Sequence, residues 1–426
     1  MAAAGRRQRR RGRALAALAV AGALATAAGC ASSGSGDDVT TLNFFQFKGE
    51  ALEDFDAIIA RFEDENPDVR VVQNQIADAE TIIRTLLVKD KPPDVITLNA
   101  NGGFGRLAEA GVFHDFRDDE VLASINPAVQ EILDGLGTHG DEVNGLAYVN
   151  NANGIIYNTT IFAEQGLEVP TTWDELVAVC EVLEAAGITP FYGTLADAWT
   201  TLPTFNGLGA YVAEDGFFDR LRDEEPGTSF TDDFAEVLER QAELYGHMQD
   251  GYRGRTYDDG NAAFARGDAA MLLQGSWALN PIAQANPDVA AEIFPFPTDG
   301  ADERLLVSGV DVAVTLPKDG AHHEEAMRFV EFLFRPDVVE EFAASQSMVP
   351  SVEGAELSED PALQSVRPWF DEGRLAGFVD HQVPPSIPLD AITQKFLFDG
   401  DASAALATLD DEWRKVAART IPVTGD

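Results

Sequence analysis

Two cysteines in 426 residues, Cys30 and Cys180, leave no room for a disulfide framework or a cysteine metal site. Cys180 falls in the helical stretch 175–186 and reads as a small buried hydrophobe. Positive charge is scarce as well. Lys and Arg number 30 against 72 Asp and Glu, a formal charge of −42 that becomes −48 once six arginines near the start (positions 6, 7, 9, 10, 11 and 13) are set aside. So acidic a surface repels nucleic acid and anionic membrane, and argues against either as a partner bound by charge. Catalytic signatures are missing too: there is no Gly-x-Ser-x-Gly elbow, His-Glu-x-x-His, P-loop, or Gly-x-Gly-x-x-Gly after a strand. The run His322-His323-Glu324 suggests a metal, but neighbours on a helix point about 100° apart and no third ligand accompanies them. It reads as a helix start, and no cofactor is implied.

The first thirty residues read as a targeting segment. Arginines precede an Ala/Leu/Val-rich run over 14–26, well short of the ~20 residues that span a bilayer, and Ala27-Ala28-Gly29-Cys30 follows. A cysteine after Ala-Ala-Gly resembles the bacterial lipobox, with Ala27 where Leu is usual. Secretion with cleavage nearby is the alternative. The Ser/Gly/Asp-rich residues 31–40 form a flexible tether.

From Thr41 onward short apolar runs alternate with amphipathic helices, the pattern of an α/β protein with mostly parallel sheets. Strands are expected at 42–47, 69–73, 92–98 and 187–193. A helix over 51–66 turns Leu52, Phe55, Ile58, Ile59 and Phe62 to one face. Thr172 and Glu175 form a capping box, which assigns Trp173 to helix packing. In 145–158, Asn150, Asn151 and Asn153 interrupt two apolar strands, as a hinge requires.

One stretch organises the rest: Phe264-Ala-Arg-Gly-Asp-Ala-Ala-Met-Leu-Leu-Gln-Gly-Ser-Trp277. A helix end, a Gly-Asp stop, an apolar strand over 269–273 and a Gly-Ser turn leave Trp277 at a strand's carboxyl end, where open α/β sheets bind small ligands. Trp277 is equally a core aromatic on spacing alone.

This order resembles the extracellular solute-binding proteins of ABC importers, family 1, the maltose-binding-protein type. The Pro-Asp-Val-Ile strand at 93–96, Leu-Ala-Glu-Ala-Gly-Val-Phe at 107–113 and the Tyr-Asn end of 145–158 extend the resemblance over roughly 41–416. It implies a periplasmic-binding-protein fold, two α/β lobes joined by three hinge crossings near 145–158, 305–314 and 349–351. Residues 41–151 and 309–351 make lobe one; 152–308 and 352–426 make lobe two.

The resemblance further implies a carbohydrate ligand. Trp277 and Trp199 would cover sugar faces, with Asp197 two residues before Trp199 taking hydroxyls. Gln46, Lys48, Asn101, Asn151 and Asp311 would face the cleft with polar groups. Each has a plainer alternative: core packing for Trp199, a helix cap for Asp197, turn chemistry for Asn101 and its neighbour Asn99. Phe378 and the loop 384–386 are lesser candidates.

The expected partners are the sugar, an ABC permease and a lipid on Cys30 that anchors a monomer to the outer face of the cytoplasmic membrane. The rival readings are a secreted lipoprotein enzyme acting on carbohydrate, and the same fold holding a non-sugar solute.

Overall fold

The computed structural model describes residues 39–76, 79–89, 91–300 and 304–417. The basic leader and Cys30 lie outside the described residues. Among the described residues nine strands form one continuous sheet: β1 (Thr40–Gln46), β2 (Val69–Gln75), β3 (Val95–Leu98), β4 (Leu146–Asn158), β5 (Met271–Gly275), β6 (Ala291–Phe294), β7 (Leu306–Thr315), β8 (Val349–Pro350) and β9 (Leu375–Ala376). The main path runs β2-β1-β3-β7-β4-β5, with β6 and β8 on β4 and β9 on β7.

The expected dominance of parallel pairing does not hold. Only β1 with β2, β1 with β3, and β7 with β9 are parallel; the other five pairings are antiparallel. The reason is β4 and β7, which lie side by side in opposite directions and collect most of the other strands. The stretch 187–193 also fails to become a strand. It contributes only bridges from Phe191 to Met248 and Met271.

All thirteen residues of β4 are buried, and the strand is unbroken where its asparagines were expected to divide it. Their amides find partners instead of breaking the ladder. Asn150 Nδ2 donates to Ser351 Oγ (2.9 Å), Asn151 Oδ1 accepts from the Gly309 N–H (3.1 Å), and Asn153 Nδ2 donates to the Pro203 carbonyl (2.9 Å). The register against β7 shifts on either side of Val149, a bulge that bends a strand without ending it. The crossings β8, β4 and β7 therefore sit together at one bend.

Beside a small cluster of Ala210, Val307, Ala376 and Phe378, apolar side chains gather in two large cores. One collects Phe44, Phe55, Phe62, Phe329 and Phe342 around β1 and β3; the other collects Trp173, Phe205, Phe217, Phe230 and Phe234. Strand β4 feeds both, with Tyr148 and Ile156 in the first and Ile155 and Tyr157 in the second. The first core also takes in Phe264, Leu279, Leu363 and Phe370.

Local signals explain the helices. The helix Leu52–Glu65 buries Phe55, Ile58, Ile59 and Phe62, while Leu52, at its first position, stays 43% exposed. Thr172 and Glu175 form both bonds of the capping box, and Trp173 packs behind them under the Arg240 guanidinium. Burial, with Glu184 and Glu243 nearby, pushes the Cys180 thiol up to about 12, as suits an inert core residue.

Phe44 is fully buried with its ring 5.1 Å from Phe55 and 5.4 Å from Phe329. Phe44→Ala is expected to cost about 3–5 kcal/mol in denaturant unfolding. Leu52→Ala should stay within about 0.5 kcal/mol.

Candidate functional site

The carboxyl end of β1 brings Lys48 into contact with β7. Lys48 Nζ lies 2.9 Å from Asp311 Oδ2 and 2.9 Å from Glu50 Oε1, and only 8% of the residue is exposed. Burial alone pulls the ammonium down, but the Asp311 and Glu50 carboxylates outweigh it and hold its pKa above the ordinary value. Asn99, after β3, donates from Nδ2 to the Asp311 carbonyl at 3.1 Å, and the Ala100 N–H donates to the Val310 carbonyl. The ends of β1 and β3 are thus tied to the crossing strand.

Two residues back along β7, Gly309 makes a close approach possible. A Cβ there would fall 2.4 Å from the Phe378 ring, so a side chain would displace that ring, while the His381 ring at 3.5 Å would be in ordinary contact. Phe378 stands 6.3 Å from Trp277, centroid to centroid, and 4.9 Å from His381. Gly275 serves Trp277 in the same way: its missing Cβ is the space the indole fills. The indole N–H donates to Gln274 Oε1 at 2.9 Å, which fixes the plane of the ring. Asn151 faces the same crossing, with its amide oxygen held by the Gly309 N–H.

Trp199 packs its ring against Tyr257 at 4.9 Å and remains 38% exposed. Tyr257 connects the two tryptophans, because its hydroxyl donates to the Trp277 carbonyl (3.5 Å). Asp197 does not cap the short helix that follows it. Its Oδ2 instead accepts from the Tyr257 N–H at 2.7 Å, at the start of the helix Tyr257–Ala265. A carboxylate placed there meets unpaired backbone donors and the positive end of the helix.

The structure thus brings Trp199, Asp197, Trp277, Asn151, Asp311 and Lys48 into one chain of contacts through Tyr257, Phe378 and Gly309. Gln46 stands apart. It is fully buried, and its Nε2 donates to Gln73 on β2. Asn101 caps the helix Gly102–Glu109, accepting from the Gly103 and Phe104 N–H groups, and it also lines a cavity of about 270 Å³ with Leu202, Asp380 and His381. A larger cavity of about 1100 Å³ shares Gly102 and His381 with it. Tyr257, Asp380 and His381 carried no signal in the sequence. An aromatic that opens a Thr-capped helix, or an Asp-His pair after Phe378, has no spacing that marks a site.

Aromatic faces set between amides and carboxylates, beside a bend in a shared sheet, define a protein that holds a small ligand. The chain belongs to the bacterial extracellular solute-binding proteins, whose family it matches over residues 49–340. Among curated relatives it is similar to the multiple sugar-binding protein of Streptococcus mutans, 29% identical over 78% of this chain and 80% of that one. It is also similar to the sn-glycerol-3-phosphate-binding periplasmic protein UgpB of Salmonella typhimurium, 25% identical over 80% and 81%. Among solved structures, apo RafE from Streptococcus pneumoniae matches with a TM-score of 0.78 at 26% identity, covering 89% of this chain and 98% of that one. RafE in complex with raffinose matches with a TM-score of 0.72 at the same identity, covering 89% and 100%. The fold is therefore the α/β periplasmic-binding-protein fold.

Lys48→Met removes the cation beside Asp311 and should cost about 1.5–3 kcal/mol at neutral pH. A raised lysine pKa stabilises the fold fully below the ordinary value of 10.5, and that stability is lost as pH rises through the higher folded value. Denaturant unfolding of the wild type against Lys48→Met should therefore show the difference shrinking only above about pH 10.5.

Proposed function

We propose that the chain captures a carbohydrate, a mono- or oligosaccharide, between two lobes and delivers it to an ABC permease. One lobe comprises residues 41–151 with 309–351, the other 152–308 with 352–426. The protein acts at the outer face of the cytoplasmic membrane, as a monomer held by a lipid on Cys30. It is a binder and not an enzyme. Its ligand contacts both lobes only in the closed form, so differential affinity drives closure around the bend in β4.

The observation that carries this reading is the aromatic wall: Trp199 against Tyr257, and Tyr257 bonded to Trp277, which faces Phe378. Such faces suit the C–H side of a pyranose, while amides and carboxylates match the mixed donors and acceptors of hydroxyls. The sugar-binding relatives support the same class. The glycerol-phosphate-binding relative raises a second reading, an anionic solute. Against it, Lys48 is already engaged by two carboxylates.

A thermal-shift screen against neutral saccharides, amino acids, phosphate esters and metals tests the proposal. A ligand specific to the folded state adds about 2.7 kcal/mol at a hundredfold excess over its Kd. A neutral saccharide should raise the Tm of the wild type, and Trp199→Ala or Trp277→Ala should abolish the shift. A shift with non-sugars alone, or turnover of a chromogenic glycoside, would contradict it.

A further inference from the structure

The helix Gly102–Glu109 opens with two glycines behind its Asn101 cap. Glycine is a poor helix former, so one kept there calls for a reason. For Gly102 the reason is not backbone conformation, because the residue is helical and has no positive φ. It is space. A Cβ on Gly102 would fall 2.9 Å from the His381 carbonyl oxygen, 3.7 Å from Arg106 Nη1 and 3.9 Å from Pro385 Cδ. The first of these is too close for carbon and oxygen, and a main-chain carbonyl cannot step aside as a side chain can.

These neighbours come from two places. Arg106 lies on the same helix as Gly102, and its Nη1 is the far end of a flexible side chain. His381 and Pro385 belong to the other of the two lobes proposed above. Each side of the contact is fixed within its own lobe. The Ala100 N–H donates to the Val310 carbonyl at 3.3 Å, and Asn101 Oδ1 accepts from the Gly103 N–H at 2.7 Å. Opposite, the Asp380 N–H donates to Asn206 Oδ1 at 3.0 Å, and Asn206 is only 3% exposed in the helix Leu202–Glu214. The contact lies where the cavities of about 270 and 1100 Å³ adjoin, since Gly102, His381, Val383 and Pro385 line both.

From this geometry we infer that Gly102 is a positioning residue for ligand capture: its missing side chain lets the start of this helix seat on the His381 carbonyl as the lobes close. With the lobes apart, a side chain at 102 meets only the movable end of Arg106. With the lobes together it meets fixed backbone. The penalty of a side chain therefore falls on the closed form alone, and it is read out as lost ligand affinity. Gly105 supplies the contrast. A Cβ there would fall 2.0 Å from the Leu136 carbonyl oxygen, within one lobe, so Gly105→Ala is strained whether the lobes are apart or together. The inference rests on capture between two lobes, and not on the ligand being a sugar.

The test uses the full chain with Gly102→Ala, Gly102→Leu and Gly105→Ala. Each protein is titrated calorimetrically with a panel of neutral saccharides that includes raffinose and galactose, and with sn-glycerol 3-phosphate. The ligand-free Tm is measured alongside, as is the radius of gyration with and without the solute that binds. That solute should bind Gly102→Ala roughly tenfold more weakly than the wild type and Gly102→Leu more weakly still, with the contraction lost in Gly102→Leu. Without ligand, both Gly102 variants should melt at or above the wild type, since alanine and leucine are better helix formers, whereas Gly105→Ala should melt lower. A ligand-free Tm of Gly102→Ala lowered as far as that of Gly105→Ala would put the contact in the resting fold and overturns the inference. Wild-type affinity and contraction in Gly102→Leu overturn it too, and leave the carbohydrate reading intact. If sn-glycerol 3-phosphate alone binds, the carbohydrate reading fails; the inference then stands if the Gly102 variants weaken that solute in the same order and falls if they do not. A wild type that contracts with none of these solutes overturns both.

Discussion

A strand of thirteen buried residues can hold four asparagines only if each amide finds a partner away from water, because an unpaired buried amide is costly. In β4 the partners come from different parts of the chain: Ser351 beyond β8, Gly309 in β7, Pro203 at the start of the helix Leu202–Glu214, and the N–H of Ile161. The first two bind the crossing strands to one another beside the bulge. The four together leave Oδ1 of Asn150 and Asn153 without a partner among the described residues, so the bend is less fully satisfied than an apolar strand would be. In the function proposed above, this strand, which feeds two cores and is held by polar bonds at its middle, is where the two lobes turn on each other.

The site follows from that arrangement. Because β7 lies against β4, Gly309 and Asp311 stand at the crossing. Gly309 admits the Phe378 ring, and Asp311 receives Lys48 from the end of β1. The aromatic wall grows outward from there, Trp277 facing Phe378 and bonded through its carbonyl to Tyr257, which backs Trp199. At the crossing the one cation, Lys48, is already held by two carboxylates, Asp311 and Glu50. Polar hydroxyl donors fit that pattern, and additional anions do not.

Much of this was legible before any coordinates. The helix Leu52–Glu65, the Thr172–Glu175 cap and the packing role of Trp173 follow from local rules, and those rules act within a few residues. Strand direction was not legible, because pairing β4 antiparallel to β7 joins residues more than 150 apart and no local pattern encodes it. Separation along the chain also hid the use of Asp197. A cap for the next helix is what its position suggests, yet its carboxylate serves the helix at Tyr257, sixty residues on. Gln46 illustrates the converse. Its place at a strand end suggests the cleft, but its amide turns sideways to Gln73 on the neighbouring strand. Tyr257 matters only through what it meets in space.

The central claim is that a neutral saccharide closes two bodies about the bend in β4. Small-angle X-ray scattering on the chain from residue 39, alone and with a saturating neutral saccharide, tests it most directly. The account predicts a smaller radius of gyration when the sugar is bound. An unchanged radius with calorimetrically bound sugar, or contraction only with sn-glycerol 3-phosphate, would contradict it.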